Sequence, residues 1–161
     1  MKDFNFKELI QNIEGNWKGE GIGMFPTIKK FEFIEHLSFK KDERRAIIHY
    51  EQQTWIKKDE FNSKRNAHWE SGFISFEKEN VFMNNVQSSG RIELLNLKSI
   101  EAFGKEVKLI FTSKNIYNDE RMLSSQRVWS FNENNFYYEM FMNTKTTKNT
   151  TIHLEANLNK C

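Results

Sequence analysis

Cysteine is nearly missing from this chain: Cys161, the last residue, is the only one, so no internal disulfide can form. It is not fourth from the end, which removes a prenylation box as well. Proline is represented by Pro26 alone and glycine by 7 residues, so collagen-like and low-complexity readings fail. No run approaches the ~20 apolar residues of a membrane helix. The opening Met-Lys-Asp-Phe-Asn-Phe-Lys lacks the apolar stretch of a secretion signal, and a reducing, cytoplasmic location is the expectation. Nor is there an excess of either charge. Lys and Arg number 24 against 22 Asp and Glu, a net of +2. That balance excludes a dedicated nucleic-acid binder and a polybasic membrane anchor. Phosphate-loop, nucleophile-elbow, H-E-x-x-H and C-x-x-C motifs are all absent.

Aromatic residues are abundant. With 15 Phe, 4 Trp and 4 Tyr the chain is 14% aromatic, too apolar in its large side chains to stay disordered. At 161 residues without linker or repeat, it reads as a single domain over 1–161. Phe6, Leu9, Ile10 and Ile13 recur at helical spacing and stop at Gly15, which predicts a short amphipathic helix. Beyond it the period changes to two. Phe31, Phe33, Leu37 and Phe39 share one face of an extended segment, with Glu35 intruding on that apolar face. Strand-length pieces follow at Arg44–Trp55, Ala67–Phe76, Val81–Gln87, Arg91–Leu97, Val107–Thr112, Arg121–Phe131, Phe136–Thr144 and Thr150–Leu158. Polar turn-like pieces separate them, among them Lys41–Glu43, Glu77–Asn80, Ser88–Gly90 and Asn132–Asn135. Adding Trp17–Phe25 gives roughly ten antiparallel strands. A meander of that length exposes two long edges unless it curls shut, so the pattern predicts an all-β, ten-stranded, up-and-down antiparallel barrel behind a short N-terminal helix, with room inside for a guest.

The glycines crowd at one place. Gly15, Trp17, Gly19, Gly21 and Gly23 fall on one face of the first strand, setting a large aromatic among bare positions. Two readings fit: a barrel-closing strand with Trp17 as an end plug, or bare backbone that makes room for a flat ligand. Of the four histidines, His36 and His49 sit in alternating strands and are assigned to structure or solvent. Met83, Met140 and Met142 read as flexible core filler rather than metal ligands. A metal-free carrier of a small apolar ligand is the alternative function. Such a carrier would set an Arg/Tyr pair deep inside, and Arg127 and Tyr138 on neighbouring late strands are the candidates.

A set of ordered landmarks narrows the choice. Gly15-x-Trp17-x-Gly19-x-Gly21 and Phe25-Pro26-Thr27-Ile28 resemble the signature of the nitrobindin family of heme-binding β-barrels. The resemblance continues through Tyr50-x-Gln52-x-Thr54-Trp55, His68-Trp69-Glu70-Ser71-Gly72-Phe73 and Gln87-Ser88-Ser89-Gly90. It ends with Met142-Asn143-Thr144 and His153-Leu154-Glu155-Ala156-Asn157-Leu158, having covered nearly the whole chain. It implies a barrel shaped like the fatty-acid-binding proteins, with heme b near one mouth. It also implies His153 as the axial ligand to iron, Thr27 beside the heme, His68 on the distal side and Gln87 lining the pocket. Gly15, Trp17, Gly19 and Gly21 belong to the implied cofactor-binding set. Family members bind nitric oxide and are credited with isomerising peroxynitrite to nitrate, so an enzyme, if this is one, would be a heme-dependent peroxynitrite isomerase. The partners so implied are small molecules, with neither nucleic acid nor membrane, on a monomer or homodimer. This chain departs in carrying Phe25 where the family often has Tyr before Pro-Thr-Ile, and Ile152 where Pro often precedes the ligand.

Overall fold

The structure, a computed structural model, describes residues 5–57, 66–77, 80–147 and 149–161. One helix, α1 (Phe6–Ile13), precedes ten strands. These are β1 (Gly15–Gly23), β2 (Phe31–Lys41), β3 (Ile47–Ile56), β4 (Asn66–Glu77) and β5 (Asn80–Gln87), then β6 (Ile92–Phe103), β7 (Glu106–Tyr117), β8 (Met122–Phe131), β9 (Asn135–Thr144) and β10 (Thr151–Lys160). Each strand pairs antiparallel with its sequence neighbour, and β1 pairs with β10 to close the barrel. The expected architecture is therefore the one observed. Closure leaves no edge strand to template association. Among the described residues, no helix is long and apolar enough to cross a membrane.

Strand limits differ from the sequence expectation where side chains, not periodicity, decide. The third strand starts at Ile47 rather than Arg44, because Asp42 Oδ1 accepts from the backbone N–H of Arg44 and Arg45 (2.8 and 2.7 Å) and holds a turn there. The hairpin of β6 and β7 runs longer than expected, turning at Gly104 in the left-handed region (φ 62°). Residues 101–106 at its tip are all exposed, so no apolar alternation announces them. The turn expected at Glu77–Asn80 includes residues 78 and 79, which lie outside the described residues.

Inside, the barrel is stratified. One end is packed solid: Trp17 touches Phe136 (centroids 5.6 Å apart), and Phe136 in turn touches Phe39, Trp129 and Phe131. Helix α1 covers that end with Leu9 and Ile13, both buried, and Trp17 Nε1–H donates to the Ile13 carbonyl (2.9 Å). Trp17 is thus the end plug. Among the described residues, the cavity beside His153 lies toward the opposite end and does not run along the whole axis.

The bare positions of β1 are filled by neighbouring chain. A Cβ at Gly19 would stand 2.0 Å from the Asn157 carbonyl oxygen of β10, and one at Gly21 would stand 2.3 Å from the Phe33 ring. Gly72 on β4 is equally tight: its Cβ would lie 1.9 Å from the Asn84 carbonyl oxygen on β5. Because that obstruction is backbone, it yields only if the strands part. We expect Gly72→Ala to lower stability by about 1–3 kcal/mol or more, the cost of overpacking. Urea unfolding should show a lower midpoint at unchanged slope, whereas an unmoved midpoint would mean that the pair relaxes freely.

Candidate functional site

His153 sits on β10, whose inward residues Leu154, Ala156 and Leu158 would by strict alternation send position 153 outward. The pairing of β10 with β9 prevents this. Ile152 pairs with Phe141 and Leu154 with the adjacent Met140, so His153 is the extra residue of a β-bulge. Bulges re-aim side chains, and this one turns the imidazole into the barrel, where it is only 3% exposed. Two contacts fix the ring and its strand. Phe25 meets the imidazole edge-on at 5.2 Å, and the His153 carbonyl accepts from Met24 N–H (2.7 Å). The ring's Nδ1 lies 2.8 Å from the Thr151 carbonyl oxygen. A carbonyl only accepts, so Nδ1 carries the proton and Nε2 keeps its lone pair. Among the described residues Nε2 has no hydrogen-bond partner.

The ring borders a cavity of about 280 Å³ at the open end of the barrel, shared with Phe25, Thr27, Arg91, Met122 and Met142. That volume is near the low end for ligand pockets. Its rim includes the exposed residues Thr27, Arg121 and Lys145, so a larger flat guest would protrude into solvent. A second hollow of about 490 Å³ borders Phe25 and Thr27 from the other side, with Phe31, Ile56 and Ala67. Phe25 and Thr27 are common to the walls of both. Three cationic side chains (Arg91, Arg121 and Lys145) against one carboxylate (Asp119) make the first cavity's lining positive.

Between this cavity and the packed end lies a buried polar layer. Arg127 donates to Glu70 through both terminal nitrogens and to Glu93 Oε2 (2.7 Å). Tyr50 O–H donates to Glu70 (2.9 Å), and His68 Nε2 lies 3.0 Å from its other oxygen. Tyr138 O–H donates to Glu35 (2.5 Å) and accepts from Gln52 (2.9 Å). Burial alone would raise the Glu70 carboxyl, but the Arg127 guanidinium and the hydrogen bonds of His68 and Arg127 outweigh it and hold it well below the usual range. Glu35 has no cation in contact. Burial pushes it up to about 8, against the lowering pull of Tyr138 and Gln52, so it is largely protonated at neutral pH.

The sequence-predicted residues are thus separated into groups. His153 and Thr27 line one cavity. His68 faces the interior at the level of the polar layer, bonded to Glu70, and does not line that cavity. Gln87 is buried at the end of β5, with its backbone N–H bonded to the Arg91 carbonyl. Gly15 and Trp17 lie at the closed end, and Gly19 and Gly21 press against β10 and Phe33; none of the four borders His153. His36 and His49 point outward, against Trp55 (4.9 Å) and Ser71 (2.8 Å) respectively. Sequence reasoning missed Arg91, Asp119, Arg121 and Met122. The available signal for Arg91 was its place two residues before Glu93 and four before Leu95, on the same inward face.

A closed ten-stranded barrel with one open end, and an inward imidazole held in a single tautomer, defines a ligand-holding β-barrel with a site fit for a heme iron. The family model described as THAP4-like, heme-binding beta-barrel domain matches residues 8–160, and the chain belongs to that family, of nitrobindin type. A protein of Arabidopsis thaliana called a peroxynitrite isomerase is 27% identical over 156 residues, covering 96% of this chain and 89% of that one. Another so named, from Nocardioides sp., is 36% identical over 81 residues, covering 50% of this chain and 43% of its own. A ferric nitrobindin-like protein of Streptomyces griseus is 32% identical over 65 residues, covering 40% and 34%. The matched segments thus span less than half the length of the last two relatives. The crystal structure of Rv2717c from M. tuberculosis superposes with a TM-score of 0.84 over 98% of both chains at 20% identity, a likeness of fold.

Glu35 and Glu70 give opposite pH dependences, and one substitution separates them. Glu35 is raised in the folded state, so its share of stability is complete below pH ~4.5 and is lost as pH climbs through about 8. We expect Glu35→Gln to gain stability relative to the parent from pH 5 to pH 8, by an amount on the order of a few kcal/mol at most. Paired urea titrations at the two pH values measure this; a constant difference would show that Glu35 ionises normally.

Proposed function

We propose that the chain holds heme b at the open-end cavity with His153 as the axial ligand, binds nitric oxide there, and isomerises peroxynitrite to nitrate. The observation that carries this reading is the bulge-turned imidazole in the cavity wall, whose Nδ1–H is spent on Thr151, which leaves the lone pair on Nε2. When bound, heme would supply a ferric centre acting as a Lewis acid toward a small anionic or diatomic ligand. The chain's own residues do the rest. The Thr151 carbonyl makes the ring a better donor and fixes its plane. Phe25, Met122 and Met142 provide apolar surface around the ligand, while the cationic rim favours arrival of an anion. The names of the relatives support the activity, and the family supports heme.

The carrier alternative needs a free Arg/Tyr pair. Arg127 and Tyr138 do face inward, but the chain's own carboxylates occupy them: Glu70 and Glu93 take the guanidinium and Glu35 takes the phenol. A lipid carboxylate entering here would have to displace a buried ion pair. That disfavours a fatty-acid carrier.

Hemin added to purified apoprotein should give a Soret band shifted from free hemin, and His153→Ala should abolish the shift. Equal spectra from the two proteins would remove His153 as ligand. In stopped-flow mixing, the ferric holoprotein should accelerate peroxynitrite decay and raise the yield of nitrate. Decay indistinguishable from buffer would end the isomerase reading and leave a heme-binding protein.

A further inference from the structure

Arg91 is unusual among buried arginines. The residue is 8% exposed and borders the cavity with His153, yet its guanidinium makes no hydrogen bond to any described residue. Its two nearest carboxylates are too distant for good hydrogen bonds: Glu93 Oε1 is 3.5 Å from Nε and Asp119 Oδ2 is 3.7 Å from Nη1. Asp119 is engaged elsewhere, and Glu93 on one oxygen only, its Oε1 having no hydrogen-bond partner among the described residues. Glu93 takes Arg127 and Asn85 on its other oxygen, and Asp119 takes the Nε and Nη2 of Arg121 at 2.9 Å each. The two anions attract the guanidinium without satisfying its five donors. A second unpartnered donor sits on the same hairpin, outside the lining of the cavity. Gln87, 4% exposed, is tied to Arg91 by a backbone bond of 2.9 Å, and its Nε2 is buried with no acceptor. Buried donors without acceptors are rare enough to require a cause, and a guanidinium left without hydrogen bonds in the wall of a cavity with a positive lining calls for an anion.

We propose that Arg91 is an oxyanion site in the cavity wall that takes a planar two-oxygen group, either a carboxylate on the porphyrin edge or a small free oxyanion of nitrate type. An arginine fork matches such a group with two parallel hydrogen bonds, which a lysine cannot do. The porphyrin source rests on the function proposed above; the free-oxyanion source does not.

The test uses the full chain as parent, Arg91→Met and Arg91→Lys. Hemin and hemin dimethyl ester, which lacks the free carboxylates, are titrated into each apoprotein by Soret absorbance. Sodium nitrate is titrated into each apoprotein while backbone amide shifts of the hairpin at 87–93 are followed. If the porphyrin supplies the group, the parent prefers hemin over its ester by about tenfold or more, the worth of one charge-assisted pair. Arg91→Met then loses that preference while the Soret position, set by His153, stays put. If a small oxyanion supplies it, nitrate shifts the hairpin amides saturably in the parent and not in Arg91→Met. Arg91→Lys keeps the charge that neutralises Glu93 and Asp119, so it decides the matter should the methionine variant not fold. It should retain only part of either effect, and a lysine variant as selective as the parent would overturn the site. So would a hemin-to-ester ratio equal in parent and variant together with no saturable nitrate response. Absence of a Soret band from every protein would remove the proposed heme function instead, and the nitrate titration of the apoprotein alone would then decide Arg91.

Discussion

The register slip of one residue on β10 governs everything at the open end. Without it Ile152 would point inward and His153 would face solvent, and the cavity would be an apolar dent with a cationic rim. With it, one backbone irregularity delivers an imidazole to the interior. The same stretch supplies the carbonyl of Thr151 that selects its tautomer. The slip is itself anchored, since the His153 carbonyl accepts from Met24 just beyond β1, and β1 is the strand that closes the barrel. Closure, bulge and ring orientation therefore support one another, and a change in any of them should be felt at the imidazole.

The polar layer below is the second organising feature. Three glutamates and an arginine inside a small barrel carry a large desolvation cost, offset by the ion pairs of Arg127 with Glu70 and Glu93 and by the hydrogen bonds of Tyr50 and Tyr138. Glu35 avoids the cost differently, by keeping its proton. Such a layer is weak as a source of stability but selective about its surroundings, because a foreign charge placed there must break existing pairs. It thereby floors the cavity. A guest can rest above it and not sink through toward Trp17.

Much of this was legible in the sequence, for reasons that differ by residue. The alternation of Phe31, Phe33, Leu37 and Phe39 gave β2 its inward face, and its one misfit, Glu35, is in fact inward and buried. The misfit marked a real feature that only tertiary partners explain, since Tyr138 is 103 positions away. The outer ends of β6 and β7 escaped notice because their residues are exposed on both faces. The inward turn of His153 contradicts local alternation, so only family resemblance pointed to it; a bulge is a property of two paired strands and leaves no mark on one. The glycines of β1 were noticed correctly and admitted two explanations. Neighbouring backbone and a phenyl ring, not a ligand, fill the space beside Gly19 and Gly21. Arg91 had no motif to announce it, and its meaning comes from what it does not touch.

The packed end has a kinetic consequence. With α1 and Trp17 sealing one side and the ionic floor closing the middle, a molecule occupying the upper chamber must leave by the door through which it came. Departure and arrival share that doorway, so a newcomer has to wait for the tenant to go or else squeeze past Phe25. Exchange of guests should then be sequential, with the residence time of the first setting the pace for the next.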